Sequence, residues 1–141
     1  MAWTITKNEF QPSGGRTVYG IWDGQADASA LTDTIVFNAS EFVLPDGTAP
    51  TQIIVDYMRI AVSEGIHARV ELDATSDILL MGCPGNNVKE YPPPNFPRDE
   101  MITGEMNTID DSGVTGDIVL TTTGAAVGEG VTVEYVVTLK A

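Results

Sequence analysis

Over residues 131–140 the side chains alternate without a break. Val131, Val133, Tyr135, Val137 and Leu139 lie on one side, and Thr132, Glu134, Val136, Thr138 and Lys140 on the other. A period of two with one apolar side belongs to a half-buried strand; a helix would repeat its apolar residues at three and four. The pattern recurs at residues 66–73, where Ile66, Ala68, Val70 and Leu72 oppose His67, Arg69, Glu71 and Asp73. It recurs again at 16–22, with Val18, Gly20 and Trp22 against Thr17, Tyr19 and Ile21. Residues 53–60 are apolar on both sides, which predicts a strand that lies deeper or is covered twice. Joined through Ser63-Glu64-Gly65, residues 51–73 read as one long hairpin at the centre of a sheet.

Shorter strands are expected at 2–6, at 34–37 with a continuation over 40–44, at 77–81 and at 101–106. A closing hairpin is expected to pair 115–123 with 131–140 across the Gly-rich 124–130. Gln11-Pro12-Ser13-Gly14-Gly15, Asp23-Gly24, Pro45-Asp46-Gly47 and Asp110-Asp111-Ser112-Gly113 supply turns. About eight short strands without a long amphipathic helix predict an all-β sandwich, jelly-roll or Greek-key-like, as a single domain over residues 1–141.

Residues 83–99 differ in kind. Pro92, Pro93 and Pro94 remove three consecutive backbone donors and impose an extended polyproline conformation, so an interior strand is excluded there. The segment reads as a long Pro-rich excursion with Tyr91 and Phe96 as exposed aromatic anchors. Tyr91, Pro92, Pro93, Pro94 and Phe96 are therefore the candidate partner-binding residues.

Charge narrows the partners. Seven Lys and Arg against twenty Asp and Glu give a net charge of -13, spread along the chain rather than gathered in a tail. Such a surface repels phosphates and anionic lipid, so neither nucleic acid nor membrane is an expected partner. No apolar run approaches the roughly 18 residues of a membrane span. The start Met-Ala-Trp-Thr-Ile-Thr lacks a basic and then apolar leader, so no secretion signal is expected. A single cysteine, Cys83, rules out an internal disulfide framework.

Catalytic chemistry has little to build on. His67 is the one histidine and sits on the polar side of a strand, with no Gly-x-Ser-x-Gly elbow and no second histidine for a triad or metal set. Cys83, between Gly82 and Pro84, reads as a packed thiol rather than a nucleophile. Asp73 with Asp77, and Asp110 and Asp111 with Asp117, offer oxygens to Ca²⁺, but match no EF-hand spacing and serve equally as turn caps. Trp3, Tyr19 and Trp22 could form a sugar-stacking platform, against the plainer reading of packed aromatics. The expectation is a non-enzymatic protein with no cofactor and no metal.

The opening Met-Ala-Trp-Thr, the segment Gly15-Arg16-Thr17-Val18-Tyr19-Gly20-Ile21-Trp22 and the strand ending at Lys140-Ala141 resemble small virion structural proteins of tailed bacteriophages, most closely the head decoration or cement proteins. The resemblance implies a β-sandwich or jelly roll that binds the exterior of the assembled head in many copies and stabilises it. It implies the major capsid protein as partner, a homo-oligomer with a trimer favoured, and a virion location after release into the host cytoplasm. It fixes no binding residue. The rival reading is a carbohydrate-binding β-sandwich of a phage tail or receptor-binding assembly, carried by Trp3, Tyr19 and Trp22.

Overall fold

The computed structural model describes residues 3–12, 15–50, 52–75, 77–91, 116–124 and 127–140. These form nine strands: β1 (Thr4–Phe10), β2 (Thr17–Gln25), β3 (Thr34–Phe37), β4 (Gln52–Val62), β5 (His67–Leu72), β6 (Ile78–Cys83), β7 (Asn87–Tyr91), β8 (Ile118–Thr123) and β9 (Gly130–Lys140). The expected all-β sandwich is what the chain forms: a five-stranded sheet, β1-β2-β9-β4-β7, and a four-stranded sheet, β3-β8-β5-β6. Among the described residues no helix is long and apolar enough to cross a membrane.

The pairing has a simple rule. β2 bonds to β9, β3 to β8, β4 to β7 and β5 to β6, all antiparallel. The eight strands thus behave as one long hairpin with its tip between β5 and β6, rolled up so that successive rungs fall in alternate sheets. That winding is a jelly roll. β1 extends the first sheet as an edge strand beside β2.

Two expected hairpins are therefore corrected. β4 and β5 lie in different sheets, and so do β8 and β9. Ser63-Glu64-Gly65 is a corner between the layers, with Gly65 at a φ of 88° and the Ser63 N–H bonded to Gly130 O at 3.0 Å. The strand expected at 2–6 runs Thr4–Phe10, and β2 continues through Asp23-Gly24, which was expected to end it. Residues 39–41 form a single 3₁₀ turn where a strand continuation was expected, N-capped by Asn38, whose Oδ1 accepts from Ser40 N.

The core lies between the two sheets. Val131, Val133, Tyr135, Val137 and Leu139 of β9 all point into it, as the alternation requires. Ile66, Ala68, Val70 and Leu72 meet them from the opposite layer. β4 solves its two-sided apolarity with a bulge between Val55 and Tyr57. The extra residue, Asp56, shifts the phase, so that Ile53 and Val55 before it and Met58, Ile60 and Val62 after it all face inward. A second bulge in β3 buries the consecutive Val36 and Phe37.

Tyr135 shows how tightly the layers fit. A Cβ placed on Gly20 would lie 2.3 Å from its ring, so only glycine leaves room there. The ring meets Phe37 edge-on at 5.7 Å, and Phe37 stacks on Phe42 at 5.4 Å. The Tyr135 hydroxyl donates to Glu9 Oε2 at 2.6 Å, and burial together with that carboxylate pushes it far above its ordinary value. Among the described residues no buried side-chain nitrogen or oxygen is left without a partner.

Candidate functional site

Few of the expected site residues come together. The Pro-rich excursion begins as structure: Gly85-Asn86 turn the chain and Asn87–Tyr91 is strand β7, the edge beside β4, where a structureless loop was expected. Tyr91 ends that strand opposite Met58 and is half-buried against the core, so it is not the exposed anchor the sequence indicated. Pro92, Pro93, Pro94 and Phe96 lie outside the described residues. So do residues 101–106, 110 and 111.

The aromatic platform is not assembled. Trp3 and Trp22 are buried, at 7% and 1% exposure, while Tyr19 projects from the opposite face of β2 at 49%. Trp3 is held in place by its Nε1–H, which donates to Ser29 O at 2.7 Å.

The remaining polar candidates are His67, Cys83 and the acidic residues. His67 is exposed on β5, opposite Thr123. Cys83 is wholly buried with its Sγ 3.5 Å from both Pro84 O and Asn87 O, and burial pushes the thiol up, away from a reactive thiolate. Asp77 groups with Asp33 and Glu71, their carboxylate oxygens lying within 4.8 Å of one another. Arg69 stands 3.8 Å from Glu71, Thr121 donates to Asp33 and Ala74 N–H donates to Asp77, so each acid has structural work.

Asp117 accepts from Ala39 N–H at 2.8 Å and ties β8 to the turn after β3. Burial raises its carboxyl above the ordinary range, the Ala39 N–H opposes this, and the nearby Asp73 and Glu41 add to the rise. A raised folded value means the group's contribution is complete below the unfolded value and is lost as pH climbs through the folded one. Asp117→Asn keeps the acceptor oxygen and removes the titration. Between about pH 3 and about pH 7 the melting temperature of wild type should therefore fall relative to this variant. The difference matters because Asp27 and Asp46, held low by the hydroxyls of Ser29 and Thr48, push the whole-protein trend the other way. Paired thermal melts at the two pH values check it, and a gap moving in the opposite sense overturns it.

What the sheet does assemble is a surface. On the outer face of β1-β2-β9-β4-β7, register places Phe10, Tyr19, Val136 and Tyr57 in one row across four strands. Phe10 is 63% exposed, and Ile21 adds its side chain from the next row. Together they line a shallow apolar groove of about 460 Å³. The next row carries Ile21, Glu134, Arg59 and Glu90. Arg59 reaches both glutamates at 3.7 Å, and the Tyr57 hydroxyl donates to Glu90 at 3.1 Å. Beyond it, Asp23, Gln25, Ser63, Asn86, Asn87 and Thr132 help line a polar cleft of about 680 Å³.

The sequence signal for this surface was present but easily passed over: Tyr19 and Ile21 are the apolar residues on the wrong side of an alternating strand. No protein-family model, curated protein or solved structure matches the chain.

Proposed function

We propose that the chain is a non-enzymatic virion structural protein, a capsid decoration protein that binds the exterior of an assembled phage head and stabilises it. The observation that supports it is the apolar row Phe10, Tyr19, Val136 and Tyr57 on the outer face of the larger sheet, with Phe10 and Tyr19 exposed and Val136 and Tyr57 half-buried. Grouped apolar side chains on a protein surface mark contact sites. Jelly rolls build viral capsid and lectin domains alike, an analogy that raises the expectation without deciding it. A surface with net charge -13 keeps free copies soluble and mutually repelled until a lattice is there to bind.

Co-sedimentation with assembled capsids tests the reading. Wild type should pellet with heads, and Phe10→Ala with Tyr19→Ala should cost at least about 2 kcal/mol of binding, roughly thirtyfold in Kd. Both side chains are exposed, so the double variant should melt within about 0.5 kcal/mol of wild type. Wild type remaining in the supernatant at saturating capsid would end the proposal.

The polar cleft favours a second reading, a carbohydrate-binding module. Asp23, Gln25, Asn86 and Asn87 are the amide and carboxylate groups that hydrogen-bond sugar hydroxyls. A glycan array decides it: specific binding lost in Asn86→Ala with Gln25→Ala supports a lectin, and a blank array removes it.

A further inference from the structure

We infer that the outer face of the β1-β2-β9-β4-β7 sheet seats a protein surface whose aromatic or aliphatic side chains are ringed by Lys and Arg. The inference rests on the decoration reading and names the chemistry the partner must bring.

Register gives the shape. Four strands at a spacing of about 4.8 Å make the row from Phe10 to Tyr57 roughly 14 Å long, enough for two or three large side chains of a partner. Charge gives the sign. Glu134 lines the groove and Glu90 follows in the next row, while Asp23 on β2 and Asp56 beside Tyr57 stand on the same outer face; Arg59 is the one cation among the described residues of these rows, already flanked by two glutamates. Asp23 and Asp56 accept from the hydroxyls of Thr132 and Thr138, bonds that fix the carboxylates without neutralising them.

A second copy of the same face would bring these carboxylates against one another, inside a molecule of net charge -13. A purely apolar partner would strip their water and return nothing, a cost that exceeds what the row gains. A cationic rim removes both penalties and steers the encounter.

The test uses the labelled protein and two synthetic peptides that share a Trp-Leu core and differ only in flanks of Lys or of Glu. Amide shifts from ¹⁵N spectra report where each binds. The Lys-flanked peptide should move the amides of Tyr19, Ile21, Tyr57 and Val136. Its affinity should drop about tenfold between about 0.1 M and about 1 M salt, as the screening length shrinks from about 10 to about 3 Å. Glu134→Lys, on the exposed face, should weaken it by a similar factor at an unchanged melting temperature. Equal binding of the Glu-flanked peptide, shifts confined to other surfaces, or silence at millimolar peptide would each overturn the inference. The capsid experiment is separate. Heads that bind while this face stays silent would leave the decoration reading standing without this surface, and the reverse result would keep the surface and remove the capsid.

Discussion

Removal of residues 131–141 should leave no cooperatively folding protein. β9 is the middle strand of the five-stranded sheet and pairs along its length with β2 on one side and β4 on the other. Val131, Val133, Tyr135, Val137 and Leu139 are each no more than 1% exposed. Losing one large buried side chain costs about 2–5 kcal/mol, and every buried backbone group left unpaired adds about 1–3 kcal/mol. Total stability for such a domain is about 5–15 kcal/mol, so the loss exceeds it several times over. Circular dichroism and a thermal melt of the truncated chain check this. A soluble truncation with a sharp transition would mean that β9 is an added arm rather than the centre of the sheet.

Trp22→Ala should cost about 3–5 kcal/mol, the range for emptying a fully buried large aromatic site. Trp22 is 1% exposed and lies on the inner face of β2. Its ring folds back over Gly24 so closely that a Cβ there would sit 2.5 Å from the Trp22 six-membered ring and 3.0 Å from Trp3 Cε3. Three things therefore fill one space: the Trp22 ring, the bare backbone of Gly24 and the side of Trp3. Alanine at 22 leaves the other two facing a cavity that a rigid sheet cannot close. The expected drop in melting temperature is roughly 10–20 °C. Tyr19→Ala, on the same strand but the opposite face, should stay within about 0.5 kcal/mol of wild type. Calorimetry on the two variants reads the faces of β2 directly, and a reversal of their order would invert the assignment.

The contrast between those two residues shows what period-two alternation carries. It separated Val18 and Trp22 from Tyr19 and Ile21 correctly, because pleating sends neighbours to opposite faces whatever else the strand does. It placed Ile66, Ala68, Val70 and Leu72, and the whole inward side of β9, for the same reason. It did not say which strands pair. β4 and β5 are adjacent in sequence and read as a hairpin, yet a corner at Ser63-Glu64-Gly65 sends them to different sheets. Alternation reports burial on one face, and the inner faces of both sheets are buried in the same core, so the pattern is identical either way.

β4 adds a second lesson. Its apolar residues change parity at Asp56, which looks like burial on both sides until a bulge is allowed; one polar residue inside an apolar run was the available sign. Tyr91 adds a third. Prolines after it made the segment look like an excursion, while the five residues before them had already closed the sheet edge beside β4. The sequence by itself determined the class of fold, the inward side of most strands and the acidic character of the chain, because these follow from local geometry and composition. Only the tertiary structure decided the jelly-roll winding and, with it, the row of Phe10, Tyr19, Val136 and Tyr57. Those residues lie far apart along the chain, and long-range register alone sets them side by side.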